Sequence, residues 1–296
     1  MTSGTLKDYD AFFEQLDYNI EEMKSVARTK LVAEQFNLAA VVDLPGNIPF
    51  VGNSNNLGDS DAADIEGAGE ALVEYSSHHL IGSYEALEDM EVALETADTM
   101  LTGDLVDNQL VGGFSSAFGR LSASLDTWTS ESSDVFRHLY VDTIHSRMAN
   151  QVVSIERSRS GVRSGRDILI AAREAALDLP VQATNALKLY HPLKDAGKSM
   201  LEIGFVVAGF AVTGVIGGVS VAVASKAMTQ QTGLSVANLM AEFRIAVRQS
   251  KENKQDAESQ VADILDEFMT EEASKWSEHV CSRPNPADLT FIPPQL

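Results

Sequence analysis

Apolar residues recur every three or four positions along most of this chain, the spacing of one helix face. Phe12, Leu16, Ile20 and Met23 predict an amphipathic helix from about Leu6 to Val42, ended before Pro45. The loop LPGNIPFVGNSNNLGDSDAAD follows, and Ser60 or Asp61 is placed to cap a second helix from about Ala62 to Leu101. That helix carries Leu72, Tyr75, Leu80, Tyr84, Leu87 and Met90, and Thr102-Gly103-Asp104 breaks it. A shorter helix is expected over Leu105–Leu125, weakened by Gly112 and Gly113. Another runs from about Glu131 to Leu179, with Gly161 and Gly165 as soft spots. Pro180 either stops it or opens the next helix at its first position. Pro192 interrupts again. Leu239, Phe243, Val247, Val261, Ile264, Leu265 and Phe268 then mark a helix over Val236–Val280, before the Pro-rich tail CSRPNPADLTFIPPQL.

One stretch breaks this pattern. The 23 residues from Ile203 to Ser225, IGFVVAGFAVTGVIGGVSVAVAS, carry no charge and are bounded by Glu202 and Lys226. As a helix they would rise roughly 34 Å, against about 30 Å for the hydrocarbon core of a bilayer. The run contains no Leu; Gly204, Gly209, Gly214, Gly217 and Gly218 are spread among Val, Ile and Thr. β-Branched residues favour strands in water, and Gly217-Gly218 between apolar runs is a hairpin signal. Phe205–Ile216 and Val219–Ala227 are therefore candidates for a two-stranded tongue. In lipid the same residues would be driven to helix, with Gly214 and Gly218 allowing close packing. A buried core helix and a plain single-span anchor remain the other readings.

Charge sharpens the picture. The net formal charge is −21 over 296 residues. Residues 1–146 hold 6 Lys/Arg against 26 Asp/Glu, whereas residues 147–200 hold 9 against 5. The basic block, Arg157, Arg159, Arg163 and Arg166, precedes the apolar run and suits either anionic lipid headgroups or acidic partner groups from the N-terminal half. Nucleic acid is excluded as a partner by the acidic balance and by the lack of aromatics among these arginines. The acidic excess fits a saline habitat or a solubility device.

Catalytic and metal chemistry find little footing. His138, Asp142 and His145 share a helix face, but no second element completes a metal set, so a polar face is the better account. His78 and His79 are adjacent and point apart. Asp59-Ser60-Asp61-Ala62-Ala63-Asp64 begins like a calcium loop but lacks its Gly and closing Glu. LVGGFSSAFGRL has no Lys-Ser/Thr and is not a phosphate loop. Cys281 is the sole cysteine, so no internal disulfide forms. The chain is read as no enzyme, with no catalytic residue, metal or cofactor. MTSGTLKDYDAFFEQ has neither a basic n-region nor an apolar core, so no secretory signal peptide is recognised.

Long amphipathic helices with one apolar Gly/Val/Ala tongue between them resemble the α-helical pore-forming toxins of the cytolysin A type, in architecture rather than in any short motif. The resemblance implies an all-α, elongated bundle with an inserted apolar tongue or hairpin. It implies a soluble form that converts to a membrane-inserted oligomer. Phe205, Val206, Val207, Phe210, Val212, Val215, Ile216, Val219, Val221 and Val223 would enter lipid, and Gly214, Gly217 and Gly218 would serve as hinge or turn. Its implied partners are a lipid membrane and further copies or companion toxin components, with release without a signal peptide and then a target membrane. The organisation expected is a bundle over 1–200, a membrane-inserting tongue over 201–228, a long helix over 229–282 and a tail over 283–296. The alternatives are a membrane-anchored structural or virion-associated helical protein, and a soluble helical scaffold with the apolar segment as core helix.

Overall fold

The computed structural model describes residues 3–42, 54–102, 105–106, 109–110, 112–128, 130–141, 144–190, 204–207, 211–216, 219–222, 226–229 and 235–278. Among these residues the chain is an all-α bundle of six long helices. A short α1 (Ser3–Lys7) leads into α2 (Tyr9–Val42), α3 (Ser54–His79), α4 (Tyr84–Thr102) and α5 (Gly112–Asp126). The short α6 (Glu131–Phe136) ends in a π-helical turn, Arg137–Val141, before α7 (Ile144–Leu189) and α8 (Val236–Glu278). Four short strands, β3 (Gly204–Val207), β4 (Ala211–Ile216), β5 (Val219–Ala222) and β6 (Lys226–Thr229), lie between α7 and α8. A further pair, β1 (Leu105–Val106) and β2 (Gln109–Leu110), precedes α5.

Local chemistry explains the boundaries that periodicity misses. The single helix expected over 62–101 is two helices starting at Ser54, parted at Leu80–Ser83, where the Ser83 hydroxyl accepts the Ala86 amide at 3.1 Å and caps α4. Asp8 separates α1 from α2, its carboxylate accepting the amides of Asp10 and Ala11 at 2.9 and 3.2 Å. The Ser235 side chain caps α8 by accepting from the Asn238 amide at 3.1 Å. The helix expected to end near Leu179 passes Pro180 and runs to Leu189. The Pro180 carbonyl takes a hydrogen bond from the Thr184 hydroxyl at 2.7 Å.

The chain divides into two compact units. The first comprises Met1–Ala86, Ser164–Thr213 and Ser220–Gln260. Here α2 lies antiparallel to α3, since Glu66 meets Arg28 and Gly69 meets Ile20. It runs parallel to the C-terminal part of α7, with Asn19 near Leu177 and Lys30 near Tyr190. α8 runs parallel to α3, because Asp64 pairs with Arg244 at 2.6 Å and Tyr75 faces Ser250 farther along both. Phe12, Leu16, Ile20, Met23 and Ala27 form the fully buried stripe of α2, and Ile65, Leu72, Leu177, Leu187, Met240 and Phe243 are fully buried on α3, α7 and α8. A Cβ at Gly69 would stand 3.1 Å from Ile20 Cγ2 and closer still to Lys24, so glycine sets the approach of α2 to α3.

Arg173 is the largest fully buried side chain. Its guanidinium donates to the carbonyls of Leu6 at 2.7 Å, Lys7 at 3.2 Å, Leu80 at 2.9 Å and Gly82 at 2.8 Å. Tyr9 and Phe12 flank it, 5.5 and 5.4 Å from ring centroid to guanidinium carbon. Burial lowers its pKa, opposed by the nearby Tyr9 and Asp8, but an arginine still remains charged.

The second unit comprises Leu87–Arg163, Gly214–Val219 and Val261–Leu296. Within it α4 runs antiparallel to the first part of α7, and Leu265 of α8 packs on Gly161, where a Cβ would come within 2.9 Å of the leucine.

The membrane expectation is corrected here. No helix among the described residues is long and apolar enough to cross a membrane. The described parts of the uncharged run are strands, not helix, in keeping with its Gly and β-branched residues, which disfavour helix. The cytolysin A resemblance therefore does not hold. With it go the pore-forming function, the lipid-inserted oligomer with companion toxin components, the membrane partner and the target-membrane location. The core-helix form of the apolar segment is corrected by the same strands. Among the described residues, β3 pairs with β6 and β4 with β5.

Two predictions follow from the helix packing. Arg173→Met keeps an apolar stem but strips the donors from the Leu6, Leu80 and Gly82 carbonyls; at about 1–3 kcal/mol per orphaned group, urea unfolding should show a loss of about 3 kcal/mol or more. A loss below about 1 kcal/mol would show that water replaces the guanidinium. Glu66, held below the usual carboxylate range by hydrogen bonding from Arg28 with Lys24 assisting, adds stability that is present above its unfolded pKa near 4.5 and lost as pH falls through the folded value. Wild type and Glu66→Gln should thus differ at neutral pH and converge in acid; parallel stability–pH curves would refute this.

Candidate functional site

The segment between α7 and α8 is tied at both ends to one face of α2. Lys30 and Glu34 stand one turn apart on that helix. The Lys30 ammonium donates to the Tyr190 carbonyl at 2.5 Å and to that of Lys188 at 3.4 Å, at the C-terminal end of α7. The Glu34 carboxylate accepts from the Tyr190 hydroxyl and, at 3.1 Å, from the backbone N–H of Val236, the first residue of α8. Each charge matches the helix end it meets: a cation at orphan carbonyls and an anion at an orphan amide. Nearby, Lys188 reaches Glu22 at 2.8 Å. The sequence reading did not single out Lys30 or Glu34; an i, i+4 Lys/Glu pair on a helix is too common to mark a junction 158 or 202 residues away.

Within the segment, Phe205, Val206 and Val207 lie on β3, opposite Met228, Ala227 and Lys226 of β6 in antiparallel register. Val212, Gly214, Val215 and Ile216 lie on β4, and Val219 and Val221 on β5. Phe210, Gly217, Gly218 and Val223 lie outside the described residues.

The arginine block is engaged inside this chain. Arg159 meets Glu95 at 3.0 Å and lies 3.9 Å from Glu91, and Arg163 pairs with Glu91. Arg157 stacks 4.3 Å over the Phe268 ring. Arg166 lies 5.8 Å from the Tyr84 ring, which Lys7 also approaches at 4.6 Å. The carboxylates facing Arg159 and Arg163 come from α4, in the acidic N-terminal half.

A polar seam separates α3 from α8. Tyr75, Ser76, Ser250, Asn253 and Lys254 are buried along it. The His79 ring lies 5.9 Å from that of Tyr75, and its pKa is lowered by burial and by Lys251, Lys254 and His78, against the pull of Glu258. Burial pushes the Tyr75 phenol up to about 12. Lys254 pairs with Glu258 at 2.5 Å.

The remaining motifs gather no site. His138 lies in the π-helical turn, Asp142 is outside the described residues, and His145 lies in the first turn of α7. Asp59–Asp64 belongs to α3 rather than to a loop, and Asp64 is paired with Arg244. Cys281 is outside the described residues. Among the described residues no three His, Cys, Asp or Glu groups are placed to hold a metal.

No protein family, curated protein or solved structure matches this chain.

The junction on α2 is directly testable. Glu34→Ala leaves the Val236 amide and the Tyr190 hydroxyl without their acceptor. Amide exchange across Val236–Met240 should quicken about tenfold, equivalent to roughly 1.4 kcal/mol. Glu22→Ala, which removes only the exposed pair with Lys188, should leave that exchange unchanged. Equal effects from both variants would dismiss a specific role for Glu34.

Proposed function

We propose that this chain is a non-catalytic helical scaffold whose first unit holds the two ends of the segment between Tyr190 and Val236. The observation that carries this reading is the pairing of Lys30 and Glu34 with the end of α7 and the start of α8. A segment fixed at its ends by hydrogen bonds from a third helix is held in place whatever its own stability. Two further features support it. The buried apolar stripe of α2 extends from Phe12 to Leu31, next to the clamp residues. The charged groups nearest this face are committed to helix ends or to one another. The strands of the segment then form an appendage carried by the helices rather than a part of their core.

Excision tests this. Replacing residues 203–226 with a short Gly-Ser linker should leave far-UV helicity per residue and cooperative unfolding intact, with the melting temperature within about 3 °C, a change of roughly 1 kcal/mol for a unit of this size. Loss of cooperative unfolding would place the apolar segment in the core and overturn the appendage reading.

A further inference from the structure

The end of α3 gathers positive charge. His79 is the last residue of that helix, and its side chain is half-buried. The ring lies 5.9 Å from that of Tyr75, one turn earlier. From α8, Lys251 and Lys254 act on it; they stand three residues apart, on the same side of that helix. From α3 itself, the adjacent His78 acts in the same sense. Among the described residues the carboxylate acting on His79 is Glu258, which is already paired with Lys254 at 2.5 Å.

A histidine at a helix C-terminus ordinarily gains from being charged, because the last carbonyls and the helix dipole attract a cation. Here a cation already stands at that end. Arg173 donates to the carbonyls of Leu80 and Gly82 just beyond the helix, at 2.9 and 2.8 Å. Leu80 is fully buried, and its amide donates to the Ser76 carbonyl at 3.1 Å, so the backbone beside His79 is held in place. Neutral, the imidazole is a flat ring beside Tyr75. Protonated, it is a third cation near two lysines, of which Lys254 is itself buried.

We propose that His79 is an acid-sensitive latch that joins the end of α3 to α8 while neutral and loosens it when protonated. Like charges repel more strongly in a half-buried setting, where water and salt screen them poorly. Burial first, then Lys251, Lys254 and His78, hold its pKa below the ordinary 6.5, against the pull of Glu258. A base whose folded pKa is depressed contributes stability that is present above its unfolded pKa and is lost as pH falls through the folded value. This loss begins near pH 6.5, before that of Glu66, which begins near 4.5. The turn into α4, Leu80–Ser83, follows the latch directly, so protonation frees the end of α3 locally rather than unfolding the whole unit. The inference does not depend on the scaffold reading.

The test is a pH series on the full chain, read by NMR of the histidine rings and by amide exchange. The His79 ring should titrate below pH 6.5; a midpoint at or above that value would overturn the proposal. Exchange at Ser77–Leu80, corrected for its intrinsic rate, should quicken several-fold between about pH 7.5 and about pH 5. His79→Gln keeps a planar polar side chain that cannot be protonated, and should flatten this rise. His78→Gln, at an exposed position, should keep it. An equal rise in wild type and His79→Gln would dismiss the latch. Lys251→Gln removes one neighbouring charge and should raise the His79 midpoint. It decides the matter even if His79→Gln does not fold, since an unmoved midpoint would show that the two charges do not meet.

Discussion

The first unit depends on how one buried charge is solvated. Arg173 has no carboxylate among its hydrogen-bond partners; four backbone carbonyls stand where a counter-ion would be expected. Those carbonyls belong to the end of α1 and to the turn leaving α3, where helices run out of internal donors. Isolated ions pay heavily for leaving water, but a planar guanidinium with five N–H groups recovers much of that cost from fixed dipoles. In return it determines where α1 stops and where α3 turns towards α4. Leu6 and Leu80 are brought to one point by a residue of α7 more than 90 positions away from either.

The same logic recurs at the other end of α2. Lys30 serves the carbonyls that end α7, and Glu34 serves the amide that begins α8. Cations are placed at helix C-termini and an anion at an N-terminus, so the helix dipoles and the orphan groups are satisfied together. Along the middle of the unit, apolar packing dominates, with the Tyr75–Asn253 seam as the polar exception. Polar side chains thus fix ends and register, while apolar side chains supply most of the stabilisation. The arginines of α7 follow a weaker version of this rule. Arg159 and Arg163 meet Glu91 and Glu95 in partly exposed pairs, which are worth little individually and serve to align α7 with α4.

The long helices were legible because their apolar stripes repeat at the helical period. Phe12, Leu16, Ile20 and Met23, and Leu239, Phe243 and Val247, were named from spacing and are buried in the structure. The breaks were less legible. Ser83 follows Gly82 within a continuous apolar pattern, and Pro180 resembles a stop although the helix continues through it to Leu189. Arg173 was counted among the basic residues but not singled out, because nothing in the sequence distinguishes a buried arginine from an exposed one. Lys30 and Glu34 were missed for a related reason: each acts on a partner far along the chain, and periodicity reports only one helix at a time.

The apolar run shows why length and hydropathy mislead when composition is ignored. Twenty-three uncharged residues satisfy the length rule for a membrane span. Yet five of them are glycines, and each glycine costs a helix roughly 1 kcal/mol relative to alanine. The Val, Ile and Thr residues between them lose side-chain freedom in a helix and lose little in a strand. A helix here would start with a deficit of about 5 kcal/mol from glycine alone. Short antiparallel pairs avoid that deficit, and the pairing of Gly204 with Thr229 through Val207 with Lys226 lets a charged residue end the ladder beside the uncharged run. Backbone preference therefore outweighs hydropathy in this segment, whose described residues are strands.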